Sequence, residues 1–118
     1  MMAMTVATLF AAVCLKENPN GIKGVHPDHV SYGVAGVTQG CLDDLRRVHP
    51  YVTYTLKDMD DPAKAAHVFK LYTDLRCTVK HLDPTPVNRL RVWHPTGNTD
   101  QYIDDVIALT RKGVKTNG

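Results

Sequence analysis

Residues 1–21 read MMAMTVATLFAAVCLKENPNG, an apolar run closed by a turn-forming cluster. Up to Glu17 it is rich in Ala, Leu and Met and holds neither Gly nor Pro, the composition of a buried helix. The Asn18-Pro19-Asn20-Gly21 cluster then favours a turn, so Glu17 is placed at a helix C-terminus. The apolar run from Ala3 to Leu15 has the length of a signal-peptide core. No Lys or Arg precedes it, and no clear small-residue cleavage site follows. It also falls short of the roughly 20 apolar residues that span a bilayer. The expectation is a first core helix rather than a leader or an anchor.

Outward from that helix, residues Asn18 to Gly36 carry turn-forming residues and little periodicity, and read as a long irregular segment with room for one short hairpin. A second helix is expected from about Gly36 to Val48, with Val37, Cys41, Leu45 and Val48 on one side and His49-Pro50 as its stop. A third starts at Asp61-Pro62, an acidic cap followed by Pro at the first helical position, and runs through AKAAHVFKLYTDLRCTV. Ala65, Val68, Phe69, Tyr72, Leu75 and Val79 form its apolar face. A fourth begins near Asp83-Pro84 or Thr85-Pro86 and ends at His94-Pro95. A fifth runs from Thr99 to about Lys112, with Ile103, Val106, Ile107 and Thr110 inward. The fold class that follows is all-α, mainly helical with at most a small β-hairpin, in one domain of about five helices over residues 1–118.

Composition agrees with one globular domain and one cleft: 118 residues, 43% hydrophobic and 22% charged. With 14 Lys and Arg against 12 Asp and Glu, the formal charge of +2 is too near neutral to mark a nucleic-acid binder, although Arg111 to Lys115 is locally basic. Cys14, Cys41 and Cys77 have no CxxC spacing, which suggests neither a disulfide framework nor a zinc knuckle; each is expected reduced against the core. His26-Pro27-Asp28-His29 lacks a matching downstream pair, so these are expected to be loop histidines and no metal or other cofactor is expected.

Cleavage of a glycosidic bond needs a carboxylic acid that stays protonated near neutral pH, which burial achieves by penalising the charged form. Glu17, after an apolar helix and before a turn, can emerge at a cleft edge in that state; the alternative is a solvated helix-end carboxylate. Lys16-Glu17-Asn18-Pro19-Asn20-Gly21, then Ser31-Tyr32-Gly33, then Gly36-Val37-Thr38-Gln39 resemble the opening of lytic transglycosylase domains, which are lysozyme-like. Asp61-Pro62-Ala63-Lys64-Ala65-Ala66 with Leu71-Tyr72 resembles the family's long helix with an inward Tyr. Leu90-Arg91-Val92-Trp93-His94-Pro95-Thr96-Gly97 stands where the family has an Asn-containing turn. Departures are Asn18 in place of Ser, Thr38 in place of an apolar residue, and His94-Pro95-Thr96 in place of the sugar-contacting Asn turn.

The resemblance implies a peptidoglycan-cleaving muramidase or lytic transglycosylase acting between MurNAc and GlcNAc. Glu17 would protonate the glycosidic oxygen and then act as base, with the sugar's acetamido group stabilising the cation and its primary hydroxyl closing to an anhydro product. If water attacks instead, a second carboxylate is needed about 6.5–9.5 Å from Glu17, and Asp28 is the candidate; Asp43 and Asp44 are expected on the surface. For substrate binding the resemblance implies Gln39 in the cleft and His94 at the sugar-contacting turn. Ser31 either positions the acid or a sugar acetamide or forms a local turn. Tyr72 is expected in the core with its hydroxyl toward Glu17, and Trp93 either stacks on a sugar or belongs to the core.

The implied partner is the glycan strand, without nucleic acid or membrane insertion. Action at the bacterial cell wall or periplasm then requires delivery by a virion, a secretion apparatus or a membrane-pore partner, because no clear signal peptide is legible. Two other function classes fit the chain: an inactive lysozyme-like domain with a structural or glycan-binding role in a larger assembly, and a DNA-associated helical domain.

Overall fold

The computed structural model of the chain describes residues 4–116, with side chains as far as Arg111. Met1 to Ala3, ahead of the first helix, and the basic tail beyond Arg111 lie outside the described side chains.

Five α-helices follow one another in the chain: α1 Val6–Glu17, α2 Gln39–Val48, α3 Pro62–Val79, α4 Pro86–Trp93 and α5 Thr99–Thr116. Local chemistry fixes most of their starts. The hydroxyls of Thr5, Thr38 and Thr85 accept from the backbone N–H groups of Thr8, Cys41 and Asn88, and the Asp61 carboxylate accepts from those of Ala63 and Lys64. Each satisfies a donor that a helix N-terminus leaves open, and Pro62 and Pro86 occupy first-turn positions where no donor is needed. The all-α expectation holds. Of the two starts offered for α4, Thr85-Pro86 is the one used.

Three boundaries or faces differ from expectation. Helix α2 begins at Gln39, not at Gly36, because Gly36 has φ +69° and Val37 is paired with Tyr32 through backbone hydrogen bonds of 2.8 and 2.9 Å. Val37 is still buried, but from the loop side. Val48 and Val79, read as inward, are 53% and 57% exposed, since each lies in the last turn of its helix beyond the reach of the core. A 3-10 turn at Lys57–Asp60, not foreseen, drives Met59 fully into the core.

Helix α3 is central. It buries Ala65, Val68, Phe69, Thr73 and Cys77, one stripe at helical spacing, and packs on α2 and α4. Phe69 meets Phe10 of α1 at 5.6 Å and Trp93 of α4 at 4.9 Å between ring centroids, so one aromatic cluster ties three helices together. The α4 face includes a buried Arg89, whose Nη1 lies 2.7 Å from both Thr73 Oγ1 and Asp74 Oδ1. Helix α1 packs chiefly along α5, where Tyr102, Ile103, Val106 and Thr110 are buried and Ile107 is half-buried.

The segment between α1 and α2 is irregular, as expected, and the short hairpin is reduced to two isolated antiparallel bridges, Val25 with Tyr32 and Tyr32 with Val37. All three cysteines are free; Cys41 and Cys77 are buried and Cys14 is half-buried. Among the described residues, no helix is long and apolar enough to cross a membrane.

Candidate active site

Glu17 closes α1, and the chain immediately beyond it is held by Asn18. The Asn18 side chain is buried; its Oδ1 accepts from Ile22 N at 2.8 Å and its Nδ2 donates to Ile22 O at 2.6 Å and Gly33 O at 3.4 Å. This knot folds the loop back over the helix end. A second strap comes from His26, whose Nε2 donates to the same Gly33 carbonyl at 2.6 Å, which places a proton on that nitrogen. The loop is moored in turn to the 3-10 turn, with Gly24 N donating to Asp60 Oδ1 at 2.9 Å and Val34 N to Met59 O at 3.0 Å.

The result is a half-buried carboxyl. Burial raises the Glu17 pKa above its ordinary value, opposed in decreasing order by the charge of His94, the Tyr102 hydroxyl, Lys16 and His26. Its position at a helix C-terminus, where the backbone dipole is negative, also disfavours the ionised form. Groups from α1, the end of α4, the buried stripe of α5 and the loop therefore converge on one acid.

Tyr102 is the most shielded of them, at 4% exposed. Its hydroxyl meets no partner at full hydrogen-bond geometry, yet the Glu17 carboxyl acts on it at close range, and burial followed by Glu17 drives its pKa far above that of a free phenol. A buried donor facing a half-buried acid needs only a small shift to close that bond. Above it, the His94 imidazole stacks on the Tyr102 ring with centroids 4.1 Å apart and planes 6° from parallel.

The residues singled out in the sequence divide into three groups. His94 lies near enough to Glu17 to act on it through its charge, without a hydrogen bond or ion pair between them. Tyr72 and Trp93 meet edge-to-face at 6.0 Å and, with Gly36, Val37, Thr38 and Cys41, line a hollow of about 110 Å³. The remaining three are engaged locally. Ser31 Oγ donates to Asp28 Oδ2 at 2.6 Å, so Ser31 forms a local turn. The Asp28 carboxyl is held at a pKa of about 2 by hydrogen bonds from the Ser31 side chain and from the backbone of Ser31 and Val30. Gln39 is exposed and donates along its own helix to Asp43 Oδ1 at 2.9 Å.

One assignment is corrected. The charged and titratable neighbours of Tyr72 are Cys41, Arg76 and Asp44, so the tyrosine that addresses Glu17 is Tyr102. Sequence reasoning passed over Tyr102 although it belongs to the inward stripe of α5 at the spacing of Ile103 and Val106; that periodicity is the signal that would have found it. His26 is a loop histidine, as expected, and no local pattern announces its contact with Gly33. Among the described residues no three His, Cys, Asp or Glu side chains are placed to hold a metal ion.

Fold and site together define an all-helical domain with one shielded carboxyl at a helix end, faced by a buried phenol and an imidazole. No family model, curated protein or solved structure matches the chain.

Proposed function

We propose that the chain is a lysozyme-like glycosidase of the lytic transglycosylase type, cleaving the MurNAc–GlcNAc bond of peptidoglycan with Glu17 as acid and then base. The observation that carries this reading is the half-buried Glu17 carboxyl with its raised pKa, opposite the unpartnered Tyr102 hydroxyl. A protonated carboxyl at the edge of the fold is the state that donation to a glycosidic oxygen requires.

The commitment of Asp28 to its own turn favours a one-carboxylate course. Glu17 gives its proton to the leaving oxygen, the substrate's acetamido group stabilises the sugar cation, and the Glu17 carboxylate then takes the proton of the primary hydroxyl as the ring closes to the anhydro sugar. Tyr72 and Trp93 line a separate hollow of about 110 Å³ whose lining does not include Glu17. Action at the cell wall, with delivery by a virion, secretion-apparatus or pore-forming partner, belongs to the same proposal.

The test is digestion of purified peptidoglycan followed by mass analysis of the muropeptides. Cleavage with loss of one water at the terminal sugar is the expected result, and Glu17→Gln is expected to lower the rate by at least about 100-fold while the fold survives. Binding of wild type to cell wall with unchanged glycan length, unaffected by Glu17→Gln, would replace this reading by that of a glycan-binding module.

A further inference from the structure

Helix α1 carries no charged residue from Val6 to Leu15, yet only Leu9, Phe10, Ala12 and Val13 are buried, while Ala7, Thr8, Ala11 and Leu15 stand exposed along its outer side. A surface helix ordinarily turns charge to solvent, and one that is apolar on every side is ordinarily covered on every side. Leu15, 54% exposed, is the crest of that outer face. On one flank of it, between Phe10, Cys14, Val34 and Pro62, lies a hollow of about 500 Å³. On the other, between Pro19 and the α5 residues Asp105, Ala108 and Leu109, lies a hollow of about 420 Å³. Leu15 lines both.

Contact between two copies about a two-fold axis sets one patch against itself, so the patch must hold both a knob and its socket, and any charge on it must find its opposite there. This face meets both conditions. Each hollow is larger than a leucine side chain, and of the residues lining them the charged ones are Lys16 and Asp105, one of each sign, 2.9 Å apart and each 37% exposed.

We propose that the chain forms a two-fold symmetric dimer through this face of α1, with Leu15 of each copy seated in a hollow beside Leu15 of the other, and Lys16 of each copy brought to Asp105 of the other. Closing the contact takes the apolar ridge out of water, and the alternating charges at its rim leave none in excess. Ridge and hollows involve fewer residues than the roughly 20–30 a side of a standard interface, so the dimer is micromolar rather than nanomolar. Leu15 and Glu17 are two positions apart and so point to nearly opposite sides of the helix. The dimer therefore leaves the Glu17 side uncovered, and it stands whether or not Glu17 cuts glycan.

The test is sedimentation of the full chain over a range of concentrations, for wild type, Leu15→Lys, Lys16→Asp and Asp105→Lys, each checked for an unchanged amide fingerprint. Wild type is expected to pass from monomer to dimer in the micromolar range, and Leu15→Lys to weaken the dimer at least about tenfold. Lys16→Asp and Asp105→Lys each set like charges across the contact and are expected to be monomeric alone; mixed in equal amounts they restore opposite charges at both cross-contacts and are expected to pair. A wild type that stays monomeric into the submillimolar range overturns the proposal, and if it then co-sediments with anionic lipid vesicles the face belongs to a membrane surface. A dimer indifferent to Leu15→Lys, or a mixture of the two charge variants that pairs no better than either alone, also overturns it.

Discussion

Nε2 of His26 lies 2.6 Å from the carbonyl oxygen of Gly33, the same oxygen that Asn18 Nδ2 approaches at 3.4 Å. Gly33 itself has φ +78°, and a Cβ there would run into the Met59 carbonyl. Left-handed backbone costs a side-chain-bearing residue roughly 1–2 kcal/mol before any clash is counted. Gly33→Ala is therefore expected to lose more than about 1 kcal/mol in urea unfolding, with the slope unchanged, and to lose glycan cleavage as both straps over Glu17 slip. Gly21→Ala is the control: φ is +65° but the space is empty, so only the conformational penalty applies.

The Tyr102 hydroxyl is buried without a settled partner. Its removal in Tyr102→Phe takes away a desolvated group that contributes little in the resting state, so stability is expected to hold or to rise by up to about 1 kcal/mol. Turnover is expected to fall about tenfold with KM unchanged, the value of roughly one hydrogen bond made to Glu17 during reaction. Steady-state kinetics on soluble glycan fragments, beside a melting curve, checks both halves.

Burial raises the Glu17 pKa above the ordinary 4.5. A carboxyl whose folded pKa exceeds its unfolded one favours the native state fully below the unfolded value, and that contribution is lost as pH rises through the folded pKa. Glu17→Gln is thus expected to melt higher than wild type at neutral pH, with the two curves converging below about the ordinary glutamate value. Equal melting temperatures at neutral pH would show that the carboxyl is not shielded.

Asp28 has the opposite sign. Its pKa is lowered from 3.8 to about 2, so its contribution to the loop is present above 3.8 and is lost as pH falls through about 2. Asp28→Asn is expected to loosen the Ser31 turn while cleavage and the anhydro product persist. Abolished cleavage in a folded Asp28→Asn would instead indicate a two-carboxylate hydrolysis.

Arg89 is buried against α3 with Asp74 and Thr73 as partners. Asp74→Ala leaves a desolvated guanidinium short of its charged partner and is expected to cost about 2 kcal/mol, read from the denaturation midpoint. Glycan cleavage per folded molecule is expected to be unchanged, because the pair lies on the α3–α4 seam away from Glu17. Arg89→Met, which removes the buried charge itself, is expected to be milder.

The helices were legible because their signals are local. Asp61-Pro62 and Thr85-Pro86 place a capping oxygen and a Pro within one turn of each other, and the apolar spacing of Ala65, Val68 and Phe69 follows from helix geometry alone. Where the structure departed, at Gly36, Val48 and Val79, the deciding contacts came from elsewhere in the chain or failed to come at all. Gln39 and Ser31 had motif positions but local partners nearer to hand, Asp43 and Asp28.

Residues 1–21 by themselves determined that Glu17 stands at the end of an apolar helix before a turn, because helix propensity and turn chemistry act over a few residues. The choice of Tyr102 over Tyr72 as its neighbour, and the arrival of His94 and His26 beside it, were decided only by the packing of α1 along α5 and the folding back of the loop. The contacts with His94 and Tyr102 join positions more than seventy residues apart, and no short-range preference of the backbone encodes them.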